Sequence, residues 1–208
     1  MYVSLSLAAI ALLLVANEFW ARKKGSHREH SRKIVHILVG SFAAFWPLFM
    51  SWSDIRFISL AFLVVVVLSK SLNVFASIHE VERFSVGEIS FAIAIGLLTF
   101  ITKNDFIYAV SMLQMGLADG LAAIIGLHYG RGNTYKILGH KKSLAGTSTF
   151  FVCSLAIIIV GSILANFHLS WYLVLTVAIL ATIIENLALW GLDNLFLPIV
   201  VALILIHS

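Results

Sequence analysis

Four groups of residues in this chain have types and spacings that can do chemistry. The first is Arg32, Lys33 and His36, with Gly40 beyond them. On a helix Arg32, His36 and Gly40 share one face, because they are spaced four apart. An arginine fork reads paired phosphate oxygens and a histidine donates or carries a proton, so this face suits a phosphate group. Each cation alone also fits a snorkelling anchor at a membrane edge.

The second group runs from Gly116 through Asp119, Gly120, Ala123 and Gly126 to Gly130. Asp119 is an ionisable group inside an apolar run, where insertion costs about 2.5 to 3.5 kcal/mol, so a functional role or a buried partner is expected. The small residues on the same stripe let a neighbouring helix or a ligand approach closely. Helix packing alone accounts well for Gly126 and poorly for Asp119.

The third group is Lys141, Lys142 and Ser143, followed by Gly146, Thr147 and Ser148. Cations, hydroxyls and a glycine at a helix start describe an anion site of the kind a nucleotide triphosphate fills. A capped helix with topogenic lysines is an equal reading. It is not a Walker loop, since Thr134 stands where the first glycine belongs and no strand is expected ahead of it. The fourth group is Glu185 with Asp193, Asn194 and Pro198, which Glu88 can join. Such carboxylates offer hard oxygen ligands to Mg²⁺. By themselves Asp193 and Asn194 also read as a capped turn.

The elements that must position these groups are set by composition. Of 208 residues 61% are hydrophobic and 12% charged, and the mean hydropathy is +1.01, which excludes a soluble globule. Apolar runs at about 3–20, 34–50, 56–71, 88–102, 106–127, 147–165, 170–189 and 195–207 predict an all-α, polytopic transmembrane bundle of eight spans. The last run is short for a crossing, which leaves seven as the alternative count. A single membrane-embedded domain, 1–208, is expected, and the first run reads as a retained span because its basic residues follow it.

If every run crosses, one side carries Arg22, Lys23, Lys24, Arg28, Arg32, Lys33, Lys70, Arg83, Arg131, Lys136, Lys141 and Lys142, and the other only Arg56 and Lys103. That asymmetry predicts a multi-pass protein with both termini outside and all four groups at the cytoplasmic face. The net charge of +4 therefore reports topology and not nucleic-acid binding, because the cations lie in short clusters between apolar runs. Cys153 reads as a buried, inert thiol. His27, Glu29 and His30 form no complete metal motif, and Glu80, Glu82 and Arg83 read as a solvated loop. Trp20, Trp46, Trp52, Trp171 and Trp190 are expected in an interfacial belt.

Cations, carboxylates and an anion-binding helix start on one face suit phosphoryl transfer to a lipid at the interface. A transporter using Asp119 as an ion site is the competing class, but the polar groups crowd one edge and no internal repeat is present. A catalytically dead membrane scaffold is the third.

The ordered set Arg32-Lys33-x-x-His36, Asp119-Gly120 with Ala123, Gly126 and Gly130, Lys142-Ser143-x-x-Gly146-Thr147, and Glu185 with Asp193-Asn194-x-x-x-Pro198 resembles the dolichol kinase, phytol kinase and CTP-dependent diacylglycerol kinase family. The likeness runs from about residue 30 to 198. It implies transfer of a terminal phosphate from CTP to a membrane alcohol with Mg²⁺ or another divalent cation. The Asp-Asn-x-x-x-Pro ending is similar to the phytol and farnesol branch, with diacylglycerol as the alternative acceptor. The roles expected of these residues are Asp119 and Asp193, with Glu185 or Glu88, as holders of the metal. Lys142, Ser143, Gly146 and Thr147, with Gly126 and Gly130, form the nucleotide site. Arg32 and Lys33 neutralise transferring charge, and His36 or Asp119 takes the hydroxyl proton.

Overall fold

A computed structural model describes residues 1–24, 28–71 and 86–207. The expectations placed on His27 and on Glu80, Glu82 and Arg83 lie outside the described residues. Among the described residues eight helices follow one another: α1 (Tyr2–Lys24), α2 (Arg28–Ala44), α3 (Trp52–Ser71), α4 (Gly87–Ile101), α5, α6 (Leu144–Leu164), α7 (Trp171–Leu187) and α8 (Asp193–Ile206). Helix α5 is composite, running as an α-helix over Asp105–Leu113, widening to a π-helix over Gln114–Ala118, and resuming as an α-helix over Asp119–Tyr129. Its first turn is held by Asn104, whose Oδ1 accepts from the backbone N–H groups of Phe106 at 2.9 Å and Ile107 at 3.2 Å.

Three helical stretches are long and apolar enough to cross a membrane, Trp52–Ser69, Asp105–Gly132 and Leu144–Leu164, and shorter apolar helices accompany them. These are the helices of an integral membrane protein. The 14 residues of α8 reach about 21 Å at the α-helical rise, less than the roughly 30 Å of a hydrocarbon core. Helix α5 is the central post: 56% of that stretch is buried, against 17% of α6 and 28% of α3. Leu12, Phe57, Leu60, Val160, Leu164 and Leu203 are among the apolar side chains left facing outward. An apolar exterior of this kind matches lipid and not water.

Neighbouring helices run antiparallel around α5. The start of α2 meets the end of α5 through Lys33 and Asp119. The end of α5 meets the start of α6 through Gly126 and Gly146, and the ends of α5, α7 and the starts of α2, α4, α6 and α8 thereby gather at one end of the bundle. The four residue groups lie on α2, on α5 and the connection that follows it, and on the helix ends and starts around them.

Two expectations are corrected. The stretch between α5 and α6 is not an unstructured loop, because Thr134–Ile137 (β1) and His140–Ser143 (β2) form an antiparallel hairpin. Leu138 and Gly139 make its two-residue turn with φ of 47° and 82°, the double positive φ that a right-twisted hairpin demands. Lys141 and Lys142 are therefore on a strand, although the first glycine of a Walker loop is still missing. Among the tryptophans, Trp46 is 0% exposed in the core, packed edge-on against Phe42. It is no part of an interfacial belt.

Candidate active site

Glycine lets α2 lie directly on α5. A Cβ on Gly40 would stand 2.7 Å from the Gly116 Cα, and one on Gly120 would stand 2.2 Å from Ile37 Cγ1. With no Cβ at these points the backbones touch, which carries the polar residues one and two turns earlier on α2 onto the π-helical part of α5. There Lys33 Nζ donates to Asp119 Oδ2 at 2.6 Å, with the two side chains 9% and 4% exposed. His36 Nε2 donates to the Met115 carbonyl at 2.8 Å and lies 3.5 Å from Asp119 Oδ2. A carbonyl only accepts, so Nε2 carries hydrogen and the lone pair of a neutral ring is on Nδ1. π-Helical turns concentrate at functional sites, and here one presents both Met115 and Asp119 to α2.

The hairpin builds the other half. Tyr135 stands directly opposite Lys142, and Lys136 opposite Lys141. Side chains alternate along a strand, so Tyr135 and Lys142 turn to the bundle while Lys136 and Lys141 are exposed. Lys142 Nζ reaches Glu185 Oε1 at 2.6 Å and the Glu185 carbonyl at 2.8 Å. The Tyr135 hydroxyl donates to Asn186 Oδ1 at 2.6 Å and bonds Thr147 Oγ1. Burial works against the Lys142 charge, but the Glu185 carboxylate outweighs it and holds the ammonium above its ordinary range, with Asp119 and Asp193 adding to the effect.

Gly126, Gly130 and Gly146 make room for Ser143. Added Cβ atoms would stand 2.9 Å, 2.6 Å and 3.1 Å from its Oγ. That hydroxyl caps α6 by accepting from the Gly146 N–H at 3.1 Å. The glycines thus lock β2 and the α6 start onto the end of α5.

Asp193 opens α8, where its Oδ1 accepts from the Asn194 N–H at 3.0 Å, and its charge is felt along with those of Asp119, Lys33 and Lys142. Asn194 Nδ2 donates to the Gly87 carbonyl at 2.9 Å and ties α8 to α4. Arg32 and Glu88 lie along a cavity of about 50 Å³ whose other lining residues are Val35, His36, Val39, Phe62, Gly87, Phe91 and Asn194.

Among the described residues no three His, Cys, Asp or Glu side chains converge as a ready-made metal cage. Mg²⁺ does not need one, because it takes one or two carboxylates and completes its shell with water and substrate phosphates. Asp119, Glu185 and Asp193 share one field, and ammonium groups sit against two of them. Hard oxygen donors already balanced by cations fit a divalent ion carried in with phosphates. Glu88 is placed along the cavity instead.

Tyr135, Asn186 and the Met115 carbonyl were not expected in the site. Asn186 follows Glu185 directly, which was the available signal. Tyr135 becomes visible only once Leu138 and Gly139 are read as a hairpin turn that sets it across from Lys142.

A membrane bundle with one buried and one half-buried ammonium–carboxylate pair and a third carboxylate at one end defines a class suited to charged phosphate chemistry. No family model matches the chain, and no solved structure matches it. A phytol kinase of Synechocystis sp. (strain ATCC 27184 / PCC 6803 / Kazusa) is 34% identical over 214 residues, covering 98% of this chain and 91% of that protein. The chain belongs to the phytol kinase family.

Proposed function

We propose that this protein is a membrane lipid kinase that moves the terminal phosphate of CTP to the hydroxyl of an isoprenoid alcohol of the phytol, farnesol or polyprenol type. The observation that supports the reading is the pair of ammonium–carboxylate contacts, Lys33–Asp119 and Lys142–Glu185, with Asp193 opening α8 nearby. Phosphoryl transfer depends mainly on fixed charges around the moving phosphate and on alignment of the acceptor. The alcohol oxygen forms a bond to the terminal phosphorus as the bond from that phosphorus to the bridging oxygen breaks. CDP leaves, and the hydroxyl proton passes to the protein.

In this reading Lys142, with the hairpin and the α6 start carrying Ser143, Gly146 and Thr147, holds the nucleotide phosphates. Gly126 and Gly130 allow that seat to close on α5. Lys33 and Arg32 balance the charge of the phosphoryl group. Asp119, Asp193 and Glu185 hold Mg²⁺, with Glu88 a further carboxylate on the acceptor side, and the ion would neutralise phosphate charge. His36 is favoured over Asp119 as the proton acceptor, because His36 lines the cavity while Asp119 is held by Lys33.

The positive-inside asymmetry supports eight crossings, a cytoplasmic active site and both termini outside. The alternative acceptor is diacylglycerol. Purified protein given Mg²⁺ and labelled CTP or ATP, with phytol, farnesol, polyprenol and diacylglycerol offered separately, tests donor and acceptor together. Labelled isoprenoid phosphate formed from CTP is the expected result. Transfer only to diacylglycerol would shift the acceptor class, and no labelled lipid from any pairing would overturn the kinase reading.

A further inference from the structure

We propose that the cavity beside His36 receives the hydroxyl end of the acceptor alcohol, and that Asn194 Oδ1 accepts its hydrogen bond. The inference rests on the kinase reading above and deepens it by assigning where the acceptor docks. Asn194 is 5% exposed and lines the cavity. Its amide orientation is set by the Gly87 carbonyl, which can only accept and so takes Nδ2. Among the described residues Oδ1 is left buried and without a hydrogen-bond partner. Buried acceptors are nearly always satisfied, so an orphan on a cavity wall points to a donor that arrives with a ligand.

The other walls say which donor. Arg32 and Glu88 are charged, whereas Val35, Val39, Phe62 and Phe91 are apolar, and the Phe91 ring lies edge-on to both His36, at 5.0 Å between centroids, and Phe62, at 5.9 Å. A volume of about 50 Å³ takes a hydroxymethyl group and the start of a chain, and the remaining tail must leave among the helices. One O–H on an apolar stem is the chemistry that satisfies a lone acceptor above aliphatic and aromatic walls. His36 stands on the same cavity and Lys33 and Asp119 stand behind it, so a hydroxyl placed here faces the charged site. Asn194 is a positioning residue in this arrangement.

The test separates binding from turnover. Val39→Phe fills the cavity, and Asn194→Ala removes the acceptor. Each should raise KM for the alcohol tenfold or more while KM for the nucleotide stays within twofold. Should Asn194→Ala fail to fold, Val39→Phe and a binding probe carry the test. A prenyl alcohol with a diazirine on its first isoprene unit should label α2, α3, α4 or α8, the helices that wall the cavity, in the wild-type protein. Excess alcohol should displace it, its methyl ether should not, and Val39→Phe should abolish labelling. Labelling without any turnover supports the docking site and overturns the kinase reading. Turnover with an unchanged alcohol KM in Val39→Phe, or labelling confined to other helices, overturns the docking site.

Discussion

The Lys33 ammonium lies 2.6 Å from Asp119 Oδ2 across 86 positions of sequence, with both residues buried. Removing one partner strands a charge, so Lys33→Met or Asp119→Leu alone should cost about 3–5 kcal/mol of stability. The double variant should recover most of that loss, because an apolar pair needs no desolvation. All three should be inactive. Thermal unfolding in detergent beside a phosphotransfer assay separates the two effects, and an Asp119→Asn protein that folds with full activity would remove Asp119 from the chemistry.

That pair also shows how much of the site was legible. Asp119 stood out because an ionisable residue in an apolar run needs a reason to be there, and Arg32, Lys33 and His36 because cations and a histidine at the start of a span suit a phosphate. Their pairing did not, since nothing in either segment states which helices touch; Gly40 and Gly116 settle it, and each alone reads as ordinary helix packing. The alternation of apolar runs and cationic connections was enough to expect eight helices, and the structure has eight among the described residues. The hairpin was hidden because its turn is Leu138-Gly139 and not the Asn-Gly or Asp-Gly that announces one. Trp46 was placed at an interface by its position near a span end, whereas tertiary packing encloses it.

The close crossing of α2 and α5 makes its own prediction. A Cβ on Gly40 would meet the Gly116 Cα at 2.7 Å, and backbone cannot swing aside. Gly40→Ala should cost about 1–3 kcal/mol as overpacking and should lower activity by prying Lys33 and His36 from α5. Gly132→Ala is the control, since among the described residues nothing lies within 4 Å of its added Cβ, and surface changes of that sort stay within about 0.5 kcal/mol. Equal behaviour of the two variants in thermal unfolding would refute the backbone contact.

Lys142 gives a prediction about pH. Its folded-state pKa is raised, with the Glu185 carboxylate overcoming the effect of burial. A raised pKa contributes stability that is complete below the unfolded value and is lost as pH climbs through the folded one. Lys142 should therefore contribute fully through neutrality and add a decline at strongly alkaline pH. Lys142→Met with Glu185→Leu should remove that decline, and unfolding midpoints measured across the alkaline range check it. An alkaline limb unchanged in the double variant would mean that another group titrates there.

Tyr135 reaches Asn186 through one hydroxyl, at 2.6 Å. Tyr135→Phe keeps the ring and deletes the bond, so stability should fall by about 0.5–1.5 kcal/mol. If the hairpin seats the nucleotide, KM for CTP should rise severalfold and KM for the alcohol should hold. Steady-state kinetics in both substrates decide between this and a hairpin that only stabilises the fold, which would leave both constants unmoved.

Orientation is testable through α5, the central helix between Lys103 and Lys136. Both residues are exposed and lie at opposite ends of that helix. Cys153 is the single cysteine and can be replaced by serine, leaving a background for Lys103→Cys or Lys136→Cys. In right-side-out vesicles a membrane-impermeant maleimide should label Lys103→Cys at once and Lys136→Cys only after permeabilisation, because the cations cluster on the hairpin side. The reverse pattern would invert the protein and turn the site away from cytoplasmic nucleotide. Immediate labelling of both would mean that α5 does not cross, which its 28-residue apolar helical stretch argues against, since about 20 residues suffice.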